Sequence, residues 1–375
     1  MNIVYTASSF HPNQAPIMKG WVLDGHKVTF ISQYLGPTED HSYCTPIIIG
    51  YSALSNILDK IYAIITRRNS TNSSYPEAFR NKCGFPSYFK LKKLLLEKRP
   101  DLVVMRERSV YSMMVYHICK KRGIKCILYN QTPLWDISAP KRDYLHRLVN
   151  RLTPSIRITP VYGNPKTGFL DKNATYIPFV IEPCLAPSDK LFFQDGQIHL
   201  LCVGKFEPRK NHLMLLKIFS TLVKKYPLKL CIVGEASTPL HQTYLKKVLR
   251  FIETRQLQNH VDIHYNCKTS DMSAFYKNAD LFVLPSTGEF ASISQLEAMS
   301  FSVPVIVSEA NGTSCYVEHT KNGYLFHDND AHSLEEQIST AISKPDKLKQ
   351  MGAYSYELVL EKYCFACYKQ QLLRL

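Results

Sequence analysis

The sequence predicts an α/β protein of two domains, each built on a parallel β-sheet. Three observations carry this prediction. The stretch 279–326 runs from the apolar segment Leu281–Leu284 through the small and polar loop Ser286–Ser294. It continues into a segment with Leu296 and Met299 at helical spacing, then a second apolar run, Val303–Val307. Strand, loop, helix and strand in that order make a βαβ unit, the building block of a parallel sheet. Second, 375 residues with 45% hydrophobic and 21% charged side chains suffice for two proper cores. Third, Pro178, Pro183 and Pro187 punctuate residues 178–190, which read as a linker.

The elements of the first half follow from the same patterning. Asn2–Thr6 reads as a strand, Ala15–Leu23 as a helix and Lys27–Ser32 as a second strand after the Gly25-His26 turn. Residues 52–66 set Leu54, Ile57, Leu58, Ile61, Ile64 and Ile65 on one helical face that ends in Arg67-Arg68. Asn69–Ser74 is a polar loop. Tyr88–Arg99 is a second amphipathic helix, with Leu91, Leu94 and Leu95 set among Lys90, Lys92, Lys93, Lys98 and Arg99. Each helix alone is expected to bury its apolar face against the sheet. Asp101–Met105 and Lys125–Tyr129 are strands flanking a helix at Tyr111–Arg122, and Ile156–Thr159 and Thr175–Ile177 are further short strands. At the strand ends lie His11, Arg106, Asn130, Gln131 and Asp136, and Asp136 is the only carboxylate in the loop 130–136. It could serve as a general base or cap the turn that follows.

In the second half, His199–Val203 is a strand ending in Gly204-Lys205-Phe206-Glu207-Pro208-Arg209-Lys210, before a helix at 211–225. Cations at a strand end, with a helix starting just after, suit a diphosphate. Leu228–Val233 is a strand closing on Gly234-Glu235; Pro239–Gln256 is a helix, Val261–His264 a strand and Asp271–Lys277 a helix. The loop after Leu284 carries Glu289, and Glu297 follows eight residues later in the helix 294–301. Spacing alone leaves open whether these glutamates cap and solvate the helix or accept hydrogen bonds from sugar hydroxyls. Asp328-Asn329-Asp330 has the look of a metal motif, but its place before a helix at 331–343 makes Asp330 an N-cap. Segments 345–362 and 364–375 complete the chain as helices, the last expected to cross back to the first domain.

Taken together, Glu289, seven residues, Glu297-Ala298-Met299, then Pro304-Val305-Ile306 and Asn322-Gly323-Tyr324-Leu325-Phe326, resemble the E-x7-E family of retaining glycosyltransferases, glycosyl transferases group 1. The resemblance implies the GT-B fold, two Rossmann-like domains facing across a cleft: an acceptor- and membrane-facing domain at 1–180 and a nucleotide-sugar-binding domain at 190–362. By the same resemblance Glu289 faces the donor sugar and Glu297 the ribose, while Ser292, Ile293 and Ser294 approach the diphosphate. Gly204 and Lys210 match the family's diphosphate clamp, Lys205 stands in place of its usual arginine with Arg209 adjacent to compensate, and Gly234 and Glu235 lie near the nucleotide. Phe290 and Ser292 stand where proline and glycine are common. The implied activity is retaining, metal-independent transfer from a UDP- or GDP-linked sugar to a glycan or lipid-linked acceptor in surface-polysaccharide or lipopolysaccharide synthesis, with no cofactor. A sugar-nucleotide epimerase of the same fold would need no acceptor, and a non-catalytic GT-B binding protein would need no reactive clamp.

Charge is divided unevenly. Residues 1–180 hold 25 Lys and Arg against 11 Asp and Glu, hence +14, whereas residues 181–375 hold 21 against 20. The first domain is therefore expected to face an anionic partner. Helix-turn-helix, zinc-finger and RNP patterns are absent, which favours an anionic membrane surface over nucleic acid. No apolar run reaches the ~18 residues of a spanning helix, and the start MNIVYTASSFHPNQ lacks the pattern of a signal peptide. The 11 cysteines are scattered singly, as buried thiols of a reducing compartment are. These features imply a cytoplasmic protein, peripheral at the inner face of the plasma membrane.

Overall fold

The computed structural model describes residues 1–36, 41–67, 80–136 and 151–375; the loop expected at 69–74 lies outside them. The chain forms two compact units. The first comprises Met1–Pro160, Thr167–Ile177 and Lys369–Leu375, and the second Val161–Lys166 and Pro178–Tyr368.

In the first unit, strand β1 (Asn2–Ser9) leads to helix α1 (Ala15–Leu23), β2 (Lys27–Tyr34), the short β3 (Ile47–Ile48) and α2 (Ala53–Arg67). Helix α3 (Tyr88–Lys98), β4 (Leu102–Arg106), α4 (Val110–Lys120) and β5 (Lys125–Tyr129) follow. Then come β6 (Trp135–Asp136), β7 (Arg157–Thr159), β8 (Phe169–Leu170) and β9 (Ala174–Tyr176). Seven of these strands make one sheet in the order β3-β2-β1-β4-β5-β7-β9, and every pairing in it is parallel. Leu102–Met105 and Cys126–Tyr129 are continuous apolar runs because both faces of the sheet's centre are covered. Val4, Ile31, Val103, Met105 and Leu128 share a core with residues of α3 and α4. Strands β6 and β8 pair apart from that sheet, antiparallel, so the end of the loop expected at 130–136 is a strand.

The two amphipathic helices differ. Helix α3 buries Leu91 and Leu95 completely, which contributes roughly 2 kcal/mol for each side chain. Helix α2 does not follow the expectation. Its apolar stripe stays exposed, while the opposite side, through Ser55 and Asp59, meets the segment at Arg80–Phe85.

The second unit carries β10 (Ile198–Val203), α5 (His212–Leu222), β11 (Leu228–Gly234), α6 (Pro239–Thr254), β12 (Val261–Tyr265) and α7 (Met272–Asn278). It continues with β13 (Leu281–Leu284), α8 (Ser294–Ser300), β14 (Val305–Ser308), β15 (Gly323–Phe326), α9 (Ala331–Ile342) and α10 (Pro345–Leu358). The expected helix 345–362 is present: α10 widens into a π-helical turn at Val359–Tyr363, and an extended Cys364 separates it from α11 (Phe365–Leu373). The sheet order is β12-β11-β10-β13-β14-β15, again parallel throughout. The order reverses between β10 and β13. In a doubly wound sheet the loops leaving the carboxyl ends of those two strands diverge and leave a crevice for a ligand. The equivalent reversal in the first unit lies between β1 and β4.

Residues 178–190 contain no helix or strand, yet they are tied to their own unit. The amides of Cys184 and Leu185 both donate to the Ser300 carbonyl. At the chain's end, Lys369 donates to both carboxylate oxygens of Asp24 at 2.9 and 3.0 Å.

Candidate functional site

The loops after β10 and β13 bring the expected clamp together. After Gly204 the backbone passes through a 3-10 turn at Pro208–Lys210 and enters α5 through Asn211 in a left-handed conformation (φ 52°). Thr287 of the β13 loop donates its amide to the Arg209 carbonyl at 2.9 Å, which locks the two loops side by side. Lys210 is nearly buried, and its ammonium donates to Glu289. Arg209 bridges Glu289 at 2.9 Å and Glu207 at 2.6 Å. Lys205 lies 3.0 Å from Glu235 at the end of β11. Burial opposes ionisation of Glu235, but the Ser237 hydroxyl and the Lys205 ammonium outweigh it and hold the carboxyl below its ordinary value. Three cations thus face three carboxylates, a locally neutral cluster.

Two glycines make this approach possible. A Cβ on Gly234 would stand 2.2 Å from the Gly204 carbonyl oxygen and 2.9 Å from the Phe206 ring. A Cβ on Gly204 would press within 3.1 Å of the Lys210 side chain. Gly234 therefore needs hydrogen where other residues carry carbon, whereas at Gly204 the Lys210 side chain would have to give by a few tenths of an ångström.

Glu297 stands one helical turn into α8. The Tyr276 hydroxyl donates to its carboxylate at 2.6 Å. Burial pushes the Glu297 carboxyl above its ordinary value, with the Tyr276 hydrogen bond opposing. Tyr276 itself is fully buried and stacks on Phe301, ring centroids 5.7 Å apart. Lys190 holds the end of α7 in place by donating to the carbonyls of Lys277 and Ala279 at 2.6 and 2.5 Å. Desolvation lowers Lys190 to about 8.

The loop 289–294 rests on a buried polar network. Gln295 donates to the Thr313 carbonyl at 2.6 Å and accepts from Asn311 at 3.1 Å, and the Thr313 hydroxyl donates to the Ser292 carbonyl at 3.2 Å. The Ser292 and Ser294 hydroxyls lie 3.0 Å apart, with Ile293 between them just before the start of α8. Phe290, in contrast, is 67% exposed.

The first unit gathers its candidates around β1, β4 and β5. Arg106 donates to the Asn13 side chain at 3.4 Å, and the same Asn13 oxygen lies 3.0 Å from His11 Nδ1. The Arg106 guanidinium sits 5.8 Å from the Tyr129 ring centroid. Burial raises the Tyr129 phenol, with Arg106 and hydrogen bonds to Gln131 and Asn13 opposing. His11, Arg106 and Gln131 therefore share one cluster. Asn130 belongs to a second one, accepting from buried Arg157 at 2.5 Å; Arg157 also donates to the Thr132 carbonyl at 3.0 Å and to Asp171 at 2.6 Å. Asp136 sits in β6 opposite Phe169, within electrostatic reach of Arg157.

Asn13, Arg157, Tyr276 and the Gln295–Asn311–Thr313 network were not singled out from the sequence. Arg157 had a signal, a lone charge inside an apolar strand; Tyr276 had none. Asp330 accepts from the amides of His332 and Ser333 as the N-cap of α9, and Asp328 accepts from Ser308 at 2.8 Å. Among the described residues no group of three or more His, Cys, Asp or Glu is placed to hold a metal ion.

Known proteins share this fold. Residues 187–358 match the family described as glycosyl transferases group 1. A Haemophilus influenzae protein called an uncharacterized glycosyltransferase is 29% identical over 181 residues, 48% of either chain. A poly(ribitol-phosphate) alpha-N-acetylglucosaminyltransferase of Staphylococcus aureus is 25% identical over 163 residues, covering 43% of this chain and 31% of that one. The matches thus span about half the length of these curated relatives or less. Among solved structures, a Rickettsia africae glycosyltransferase superposes over 99% of this chain and 97% of its own, with a TM-score of 0.70 and 15% identity. Anabaena Alr3699/HepE in complex with UDP and glucose does so over 100% and 98%, with a TM-score of 0.68 and 16% identity. The fold is that of GT-B proteins, and residues 187–358, a little under half of the chain, are similar to glycosyl transferases group 1.

Proposed function

We propose that this protein is a retaining glycosyltransferase that takes a sugar from a UDP- or GDP-linked donor and joins it to a hydroxyl of a glycan or lipid-linked acceptor. The observation that carries this reading is the Lys210–Glu289–Arg209 cluster at the switch point of the second sheet. Glu297 lies one loop and one helical turn further on. The donor diphosphate would take the cations and the donor sugar's hydroxyls would take Glu289, so each charged group exchanges one partner for another. Lys205, Arg209 and Lys210 would then neutralise the charge that develops on the departing diphosphate, a role assigned here to side chains and not to a metal. Glu297, held by Tyr276, would accept hydrogen bonds from the ribose.

The reaction breaks the bond between the anomeric carbon and the β-phosphate oxygen and forms one from the same carbon to the acceptor oxygen. Attack from the face that the leaving group departs preserves the anomeric configuration. Asp136 is the carboxylate assigned to take the acceptor hydroxyl's proton, with His11, Arg106, Asn130 and Gln131 lining the acceptor side. The solved neighbours include a complex with UDP and a lipopolysaccharide outer core galactosyltransferase, which supports a nucleotide sugar and a surface-polysaccharide acceptor. No helix among the described residues is long and apolar enough to cross a membrane, and we place the protein at the cytoplasmic face of an anionic membrane. The experiment is a thermal-shift screen of nucleotide sugars, followed by product analysis with the donor that binds. Wild type should be stabilised by one donor, and Glu297→Ala and Lys210→Ala should lose the shift. A donor that stabilises both variants as it does wild type would place the site elsewhere.

A further inference from the structure

We infer that helix α2 is a docking element for an anionic lipid surface. Leu54, Ile57, Leu58, Ile61, Ile64 and Ile65 recur at helical spacing along one stripe, and each is between 44 and 63% exposed. Scattered exposed aliphatics need no explanation, whereas a contiguous stripe of six does. The helix is not loosely attached. Ser52 donates its amide to the Phe85 carbonyl at 2.9 Å, and the Phe85 amide donates to the Ser55 hydroxyl at 3.1 Å. Asp59 meets Arg80 at 3.7 Å, and the Arg80 guanidinium lies 4.2 Å from the Tyr51 ring centroid. These contacts hold the polar side of α2 against the segment 80–85 and turn the apolar stripe outward.

Charge selects the occupant. Residues 53–99 hold ten Lys and Arg against three Asp and Glu, a net +7. Lys60 on α2, Arg80 and Lys82 on the segment that holds it, and Lys92 and Lys93 on α3 are all exposed. An aliphatic stripe in a segment of net +7 matches a helix lying in the headgroup layer, its apolar face in the acyl boundary and Lys60 beside it near lipid phosphates. A second copy of the chain would instead bring the same +7 against itself, since an isologous contact repeats one surface. The inference rests on the reading of a membrane-borne acceptor, and it names the element that would bring the first unit to that acceptor.

The test uses the full chain and two kinds of vesicle, phosphatidylcholine alone and phosphatidylcholine with about a third phosphatidylglycerol. Wild type should float with the anionic vesicles, more weakly as salt rises, and poorly with the neutral ones. Ile57→Ser/Ile61→Ser/Ile64→Ser should weaken the anionic partition by about tenfold or more. Lys60→Glu/Lys82→Glu should weaken it on anionic vesicles only. Circular dichroism and the nucleotide thermal shift, both expected to match wild type, show that the variants are folded with an intact donor site. Wild type that stays off both vesicles, or a triple variant that floats like wild type, overturns the inference. So does a wild-type dimer that the triple variant converts to monomer without change in flotation, which would make a second copy the occupant. If flotation and its loss hold but no nucleotide sugar binds, the docking surface stands and the glycosyltransferase reading fails.

Discussion

Replacing Tyr276 with phenylalanine removes one oxygen and leaves the buried ring, so it isolates the hydrogen bond to Glu297. That bond is 2.6 Å long and ends on a carboxylate, the kind worth about 1.5–3 kcal/mol. The second unit should therefore melt about 3–12 °C lower at neutral pH, given ~2–4 °C per kcal/mol for a unit of this size. The loss must also depend on pH. Burial raises the Glu297 carboxyl in the folded protein, with Tyr276 opposing. A raised carboxyl binds its proton more tightly folded than unfolded, so its stabilising share is full below the ordinary value of 4.5 and is lost as pH rises through the folded value. Without Tyr276 the folded value climbs further and that loss reaches higher pH. Melting curves of wild type and Tyr276→Phe between acid and neutral pH should therefore diverge as pH rises. Equal separation at every pH, or none, would refute the assignment of the hydroxyl to a charged Glu297. Nucleoside diphosphate affinity should fall about tenfold alongside.

Other perturbations follow from the same geometry. Gly234→Ala puts a methyl 2.2 Å from the Gly204 carbonyl and should cost about 1–3 kcal/mol, read by urea unfolding, while weakening nucleotide binding through displacement of the Lys205 turn. Glu289→Gln removes the carboxylate that competes for Lys210 and Arg209, so calorimetry should find the bare nucleoside diphosphate bound more tightly, by about tenfold, while sugar transfer falls. Arg157→Met strands Asp171 and Asn130 and should destabilise the first unit by about 3–5 kcal/mol, measured by chemical denaturation. Among the described residues His212 has no hydrogen-bond partner at either ring nitrogen, and burial holds it down at about 3. The unfolded chain takes up that proton first, so the stability His212 permits is full above 6.5 and lost as pH falls toward 3. His212→Leu should flatten the acid limb of the stability curve over that window.

The meeting of Lys210 with Glu289 was legible because strand ends and loop lengths place it. Lys210 and Glu289 are 79 residues apart in the chain, yet each leaves an adjacent strand at the switch point, so a βαβ reading already brings them together. Asp330 was legible as a cap for the same local reason. Tyr276 was not, since its contact with Glu297 depends on how α7 packs beneath α8, which no periodicity reports. The role of Asn13 depends likewise on Arg106 arriving from a different strand. Helix α2 marks another limit. Its pattern shows an apolar face and cannot show whether the fold covers it, and here the fold covers α3 instead. Ribbon β6–β8 was missed because two-residue strands carry no alternation to read.

Isothermal titration of UDP and GDP into wild type, Lys210→Ala and Glu297→Ala tests the central claim most directly. The account predicts that one nucleotide binds wild type, that both variants bind it at least about tenfold more weakly, and that added salt weakens wild type more than Lys210→Ala. Failure of both nucleotides to bind wild type, or binding that neither substitution alters, would contradict a donor site between the β10 and β13 loops.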